Sequence, residues 1–152
     1  MMRPFEGVKI LDCTHVLAGP FAAYQLAVLG ADVIKVEDPN EPDQSRESGA
    51  DMALNKKRMG TGFLTQGSNK RSIALNLKTE GGRDALKRLV RDWADVLVEN
   101  YRPGLDPCRG RHSHAGTTVY IPALTNQPTC LARNSSVRSR AVFDAPALYE
   151  PR

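Results

Sequence analysis

Residues Gly7 to Pro20 read G-V-K-I-L-D-C-T-H-V-L-A-G-P, and this stretch decides the fold. Val8, Ile10, Leu11 and Cys13 form a short apolar run that ends in polar Thr14 and His15. Ala18-Gly19-Pro20 then breaks the pattern ahead of a helix-like segment. A strand that hands the chain to a helix in this way opens a βαβ unit. Ligands of open α/β sheets sit outside the carboxyl ends of the strands, so any chemistry is expected around His15 to Pro20.

Downstream, F-A-A-Y-Q-L-A-V-L-G has Ala22, Gln25, Leu26 and Leu29 at helical spacing and Gly30 as a natural stop. V-I-K-V-E then predicts a second strand through Val33, Ile34 and Val36, parallel to the first because βαβ crossovers are right-handed. From Asp38 to Lys70 the pattern dissolves into turn formers and glycines. A long loop is expected there, with a lid or substrate-facing role at the same edge as His15. S-I-A-L-N-L predicts a third strand on Ile73, Leu75 and Leu77, and Thr79 offers an N-cap for a helix to about Ala94. In that helix Leu86, Leu89, Val90 and Trp93 make one apolar stripe. D-V-L-V-E-N-Y supplies a fourth strand, so the βαβ pattern occurs twice. The expected fold class is α/β: an incomplete Rossmann-like parallel sheet with flanking helices over residues 1–104.

Beyond Gly104 the composition changes. Residues 105–152 are rich in Arg, Pro, Ser, Thr and Ala, the last lysine is Lys87, and no periodicity is visible. An irregular or disordered tail is expected, with V-Y-I-P-A-L as one short strand. A reading-frame change near Gly104 in a GC-rich gene would yield such a tail; a short natural protein with a diverged tail is the rival account.

The 152 residues are 41% hydrophobic and 25% charged, the balance of a globular chain. The net charge of +4 comes mostly from the tail: residues 1–104 carry 15 Lys+Arg and 14 Asp+Glu, whereas 105–152 carry 6 and 3. No clustered basic face suggests nucleic acid. No apolar run nears the ~20 residues of a membrane span, and M-M-R-P-F-E-G lacks the apolar core of a signal peptide, so a cytoplasmic protein with no membrane partner is expected. Cys13, Cys108 and Cys130 are too few and too scattered for a disulfide framework, and Cys13 reads as a small buried hydrophobe. The C-x3-H-x-H spacing of Cys108, His112 and His114 fits no common zinc pattern, so no metal is expected. Glu37 and Asp38 past the second strand would suit a ribose. The first turn, however, is H-V-L-A-G-P rather than G-x-G-x-x-G, which argues against a nicotinamide cofactor. Asn69-Lys70-Arg71-Ser72 reads as a solvated basic turn.

Four stretches in order resemble the class III CoA-transferases, the formyl-CoA transferase and carnitine CoA-transferase type. They are G-V-K-I-L-D-C-T-H-V-L-A-G-P, L-G-A-D-V-I-K-V-E, S-N-K-R-S-I-A-L-N-L-K and A-D-V-L-V-E-N-Y-R-P-G, and the resemblance covers residues 5 to 104. It implies a reaction in which an aspartate attacks an acyl-CoA thioester, giving a mixed anhydride and free thiolate. The thiolate then returns to form an aspartyl-CoA thioester before transfer to a carboxylic acid. In the family that aspartate lies beyond a segment this sequence does not match, so no catalytic residue is nominated here, neither Asp106 nor Asp144.

The resemblance also implies a coenzyme A site lined by His15, Val16, Leu17 and Ala18, by Leu75, Asn76, Leu77 and Lys78, and by Asn100, Tyr101 and Arg102. Lys78 and Arg102 would answer phosphates, and Tyr101 offers a flat apolar face. The P-D-Q-S-R turn departs from the family's G-D-x-x-R in Pro42 but keeps Asp43 and Arg46, and the turn after the second strand, where some members carry an arginine for CoA, reads Glu37-Asp38-Pro39. The resulting expectation is a truncated, inactive CoA-transferase whose intact relatives use acyl-CoA and a carboxylic acid and form interlocked homodimers that this chain is too short to thread. The alternatives are a non-catalytic CoA-binding module and a structural domain without ligand.

Overall fold

A computed structural model describes residues 2–100 and 118–120. In chain order the elements are β1 (Lys9–Cys13), α1 (Ala18–Val28), β2 (Asp32–Glu37), a 3-10 turn (Gln44–Glu47), α2 (Met52–Lys56), α3 (Thr61–Gly67), β3 (Lys70–Ala74), α4 (Glu80–Asp92), β4 (Val96–Glu99) and β5 (Thr118–Tyr120). The sheet order is β3-β2-β1-β4-β5. The first four strands are parallel, and β5 adds antiparallel to β4. This is the Rossmann-like order expected, with β5 at the start of V-Y-I-P-A-L. Tyr101, Arg102 and the rest of the 105–152 tail lie outside the described residues.

Strand alternation sorts side chains onto two faces. Leu11, Cys13, Val36 and Leu97 point to one face, where Leu86, Val90 and Ala94 of the α4 region close a core. Ile10, Val33 and Val98 point to the other, against Ala23 and Ala27 of α1 and Ala31 beyond it. Cys13 is buried as expected. α4 starts where Thr79 accepts from the Gly82 N–H and carries the predicted stripe.

The face of α1 differs from the expectation. Its buried residues are Gly19, Pro20, Ala23 and Ala27, small side chains that let the helix lie close on the sheet, whereas Leu29 is 40% exposed. Gly30, at φ 112°, ends the helix as predicted. β3 also begins two residues earlier than the expected S-I-A-L-N-L and stops at Ala74. Leu75 to Lys78 therefore follow the strand.

Two further corrections concern the segment before β3. Asp38 to Lys70 is not a structureless loop: it holds the 3-10 turn, α2 and α3. Asp51 caps α2 by accepting from the Ala53 and Leu54 N–H groups. Lys70 belongs to no solvated turn; it is paired in β3, and its side chain is 2% exposed.

Candidate functional site

Along the α1 face the lower half of the strands is apolar, but the half toward the carboxyl ends is charged. Period-2 alternation carries Asp12 up from Ile10, and Lys35 and Glu37 up from Val33, all on the same face. Asp12 and Lys35 are register partners in the parallel ladder. All three are at most 5% exposed. Central parallel strands are normally apolar on both faces, so these charges are buried at a cost and must be paired.

Each of these charges has a partner, and the pairing ties β1, β2 and β3 to the segment after β2. Lys70 Nζ donates to Asp12 Oδ2 at 2.7 Å and to the Pro20 carbonyl at 2.8 Å. Lys35 Nζ donates to the Thr14 carbonyl and lies 3.5 Å from Asp43 Oδ2. Glu37 takes a two-toothed grip from Arg46, through Nε at 2.8 Å and Nη2 at 2.6 Å. The Arg46 guanidinium also stacks over the Phe63 ring of α3, 3.7 Å from its centre. The segment after β2 is thus folded as a cap over the charged half of the sheet.

The β1–α1 turn sits above this network, where β1 lies between β2 and β4. The chain leaves β1 to β2 and on to β3 on one side, and the connection from β3 then returns past β2 and β1 to β4 on the other, making a topological switch point. His15 donates its N–H to Asn100 Oδ1 at 2.8 Å, and Asn100 Nδ2 donates back to the His15 carbonyl at 2.9 Å. Residues 85 positions apart are thereby clamped across the crevice. Val16 follows at φ 72°, and its N–H donates to both oxygens of Asp43 at 3.2 and 3.1 Å. A β-branched residue in that region costs about 1–3 kcal/mol. Leu17 is 64% exposed and Ala18 is exposed at the start of α1.

The other candidates line the same edge. Leu75 follows β3 and donates its N–H to the Glu37 carbonyl, while its side chain and that of Leu77 pack against the α4 core. Asn76 Oδ1 accepts from the Lys78 N–H at 2.9 Å. The Lys78 ammonium is exposed and meets Glu41 at 2.8 Å. Its pKa is raised, first by that hydrogen bond.

Burial and then Lys35 push the His15 pKa below its ordinary value, against Asp43, Glu37 and Asp12, which favours the neutral imidazole. Burial alone would raise Glu37 and Asp43, but hydrogen bonds from Arg46 to the first and from Ser45 to the second outweigh it and leave both below the ordinary carboxylate range. Depressed carboxylates give stability that is full above their unfolded pKa, about 4 to 4.5, and is lost as pH falls through the folded values. We expect the denaturation midpoint to stay level from pH 7 to 8 and drop steeply below about pH 4. Replacement of Glu37 by Gln should flatten that drop, which chemical denaturation at stepped pH would measure.

Gly60 holds the cap against the network. A Cβ there would lie 2.4 Å from the Ser48 carbonyl oxygen, 2.5 Å from that of Ser45 and 2.9 Å from that of Arg46. Gly60→Ala is expected to cost about 1–3 kcal/mol by displacing the 3-10 turn. A denaturant midpoint equal to that of the unaltered protein would refute this.

Sequence reasoning placed His15 and Asn100 at the site, and the structure joins them. It missed Asp12, Lys35, Glu37 and Lys70 as a buried network. The available signal was charge at same-face positions of central strands. Among the described residues no group of three or more His, Cys, Asp or Glu is arranged to hold a metal.

The family model described as CoA-transferase family III matches residues 5–107. Succinyl-CoA:glutarate CoA-transferase of Homo sapiens is 48% identical over 146 residues, covering 96% of this chain and 32% of that protein. Its Mus musculus counterpart is 48% identical over 103 residues, 68% of this chain and 23% of that protein. A formyl-CoA:oxalate CoA-transferase of Escherichia coli is 43% identical over 104 residues, 68% of this chain and 24% of its own length. Among solved structures, a CAIB/BAIF family protein from Brucella suis superposes with a TM-score of 0.57 at 36% identity, over 66% of this chain and 26% of that one. A hypothetical protein from Mycobacterium tuberculosis gives 0.58 at 37% identity, over 67% and 26%. The chain thus spans about a quarter to a third of the length of the curated relatives it matches.

Proposed function

Because the chain belongs to CoA-transferase family III, we propose that its strand-end edge binds coenzyme A, as the free thiol or an acyl-CoA, and that these 152 residues alone transfer nothing. The observation that carries the binding half is the switch point, where the doubly bonded His15 and Asn100 hold open backbone at the ends of β1 and β4. His15, Val16, Leu17 and Ala18 would line one side. Asn76 and Lys78, with the backbone of Leu75 and Leu77, would line another, and Asn100, Tyr101 and Arg102 a third. Lys78 would reach a phosphate by leaving Glu41, an exposed pair worth little in water. The relatives' names speak of acyl-CoA donors and carboxylic acid acceptors, and we extend those two substrate classes to the intact parent of this segment. A cytoplasmic location accords with such a ligand. Among the described residues no helix is long and apolar enough to cross a membrane.

The inactive half rests on the sequence: neither Asp106 nor Asp144 stands in a context like that of the family nucleophile. Incubation with acyl-CoA and a panel of carboxylic acids, read by mass spectrometry, tests it. No new acyl-CoA is expected, and one that forms above the protein-free rate would overturn the claim. Amide chemical shifts on adding CoA test the binding half. They should move at His15 to Ala18, Leu75 to Lys78 and Asn100; movement confined to other residues would overturn this site, and no movement at all would leave the reading of a structural domain without ligand.

A further inference from the structure

The left-handed backbone at Val16 has no local cause. Neither glycine nor asparagine stands there, and a β-branched side chain disfavours φ 72°. The Asn100 clamp grips the His15–Val16 peptide by its carbonyl edge and leaves the Val16 N–H at the opposite edge. That N–H is held by Asp43, 27 residues downstream. We infer that Asp43 is a positioning residue for coenzyme A: its carboxylate holds Val16 left-handed and so sets the direction in which His15 and Leu17 leave the end of β1.

Asp43 is built for that task and for no contact with a ligand. It is 2% exposed. Its Oδ1 also accepts from the Ser45 N–H at 3.0 Å and the Ser45 hydroxyl at 2.8 Å, and Lys35 lies 3.5 Å from Oδ2. Its own backbone is fixed in turn, since the Asp43 N–H donates to Glu37 Oε1 at 3.1 Å and Arg46 grips the same carboxylate. The conformation of the turn is therefore set from β2 through the cap. The competing role for Asp43 is plain charge compensation of Lys35. Asp43→Asn disturbs both roles, but only the positioning role is relieved by a glycine at 16, which adopts positive φ without enforcement.

The inference rests on the coenzyme A reading for its ligand, and the test separates the two. Isotope-labelled protein is compared as the unaltered chain, Asp43→Asn, Val16→Gly and the double variant, by CoA calorimetry and by NMR. In the unaltered protein Val16 should show the strong intraresidue HN–Hα NOE of a positive φ. In Asp43→Asn that NOE should vanish and CoA affinity fall about tenfold or more. The double variant should bind within about threefold of Val16→Gly alone. Persistence of the NOE in Asp43→Asn, or a double variant still tenfold weaker than Val16→Gly, would overturn the inference. Should Asp43→Asn fail to fold, Asp43→Glu keeps the charge beside Lys35 while displacing the carboxylate, and it is expected to lose the same NOE; retention would favour charge compensation. If the unaltered chain binds no CoA, the coenzyme reading falls, and the NOE alone still decides what Asp43 does.

Discussion

Lys70→Met is expected to lower the unfolding free energy by about 3–5 kcal/mol, enough to approach the whole stability of a small domain. The side chains of Lys70 and Asp12 are 2% and 0% exposed. Methionine keeps the stem and removes the ammonium, leaving Asp12 the Thr14 N–H and hydroxyl as donors, both on Oδ1. The ammonium is held there at a desolvation cost, since burial lowers the Lys70 pKa in spite of the neighbouring carboxylate. The penalty therefore comes from stranding Asp12, and the double variant Asp12→Asn with Lys70→Met should recover most of it. Thermal unfolding would show a Tm drop of more than about 10 °C for the single variant. A drop no larger than that of an exposed lysine such as Lys57 would contradict the buried pairing.

Leu86→Ala is the second large effect, at about 2–5 kcal/mol. Leu86 is 1% exposed and belongs to the core cluster with Leu11, Cys13, Val36, Val90, Ala94 and Leu97. Truncation there removes transfer energy and leaves a cavity that β1, β2 and β4 are too constrained to fill. The neighbouring Arg88 is exposed on the same helix, so Arg88→Ala should stay within about 0.5 kcal/mol. Equal denaturant midpoints for the two variants would mean that α4 does not pack as described.

How far the sequence reveals this fold depends on the length and one-sidedness of each element. α4 is legible because 13 residues carry a single apolar stripe between charged flanks. β1, β2 and β4 are legible from their apolar runs, and the switch point follows from two successive βαβ units. α1 is apolar around its circumference, with Phe21 51% and Val28 42% exposed, so periodicity could not choose its buried face. The fit of small residues to the sheet chose it instead. α2 and α3 have 5 and 7 residues, about two turns or less, too short for a period to register. They are held by the Asp51 cap and by the Arg46–Phe63 stack, contacts a linear reading does not contain. Lys70 looked solvated because its partner Asp12 lies 58 residues away.

The site was legible where it depends on strand ends. His15 follows the first predicted strand and Asn100 lies at the end of the fourth, and parallel topology brings such ends together. Asp43 was visible as a retained position of a turn, but its grip on Val16 depends on a backbone twist that sequence does not display. Asp12 and Lys35 were hidden by being read as ordinary strand residues, and Glu37 by being read as a ribose partner past the strand, although charge on one face of a central strand signals a paired interior.

The central claim is that this edge of the sheet holds coenzyme A. Isothermal titration of the full 152-residue chain with CoA tests it most directly. A saturable heat with one site per chain, abolished when both His15 and Asn100 are replaced by alanine in a variant that still unfolds cooperatively, is the predicted result. No heat at millimolar CoA, or equal binding by that double variant, would contradict it.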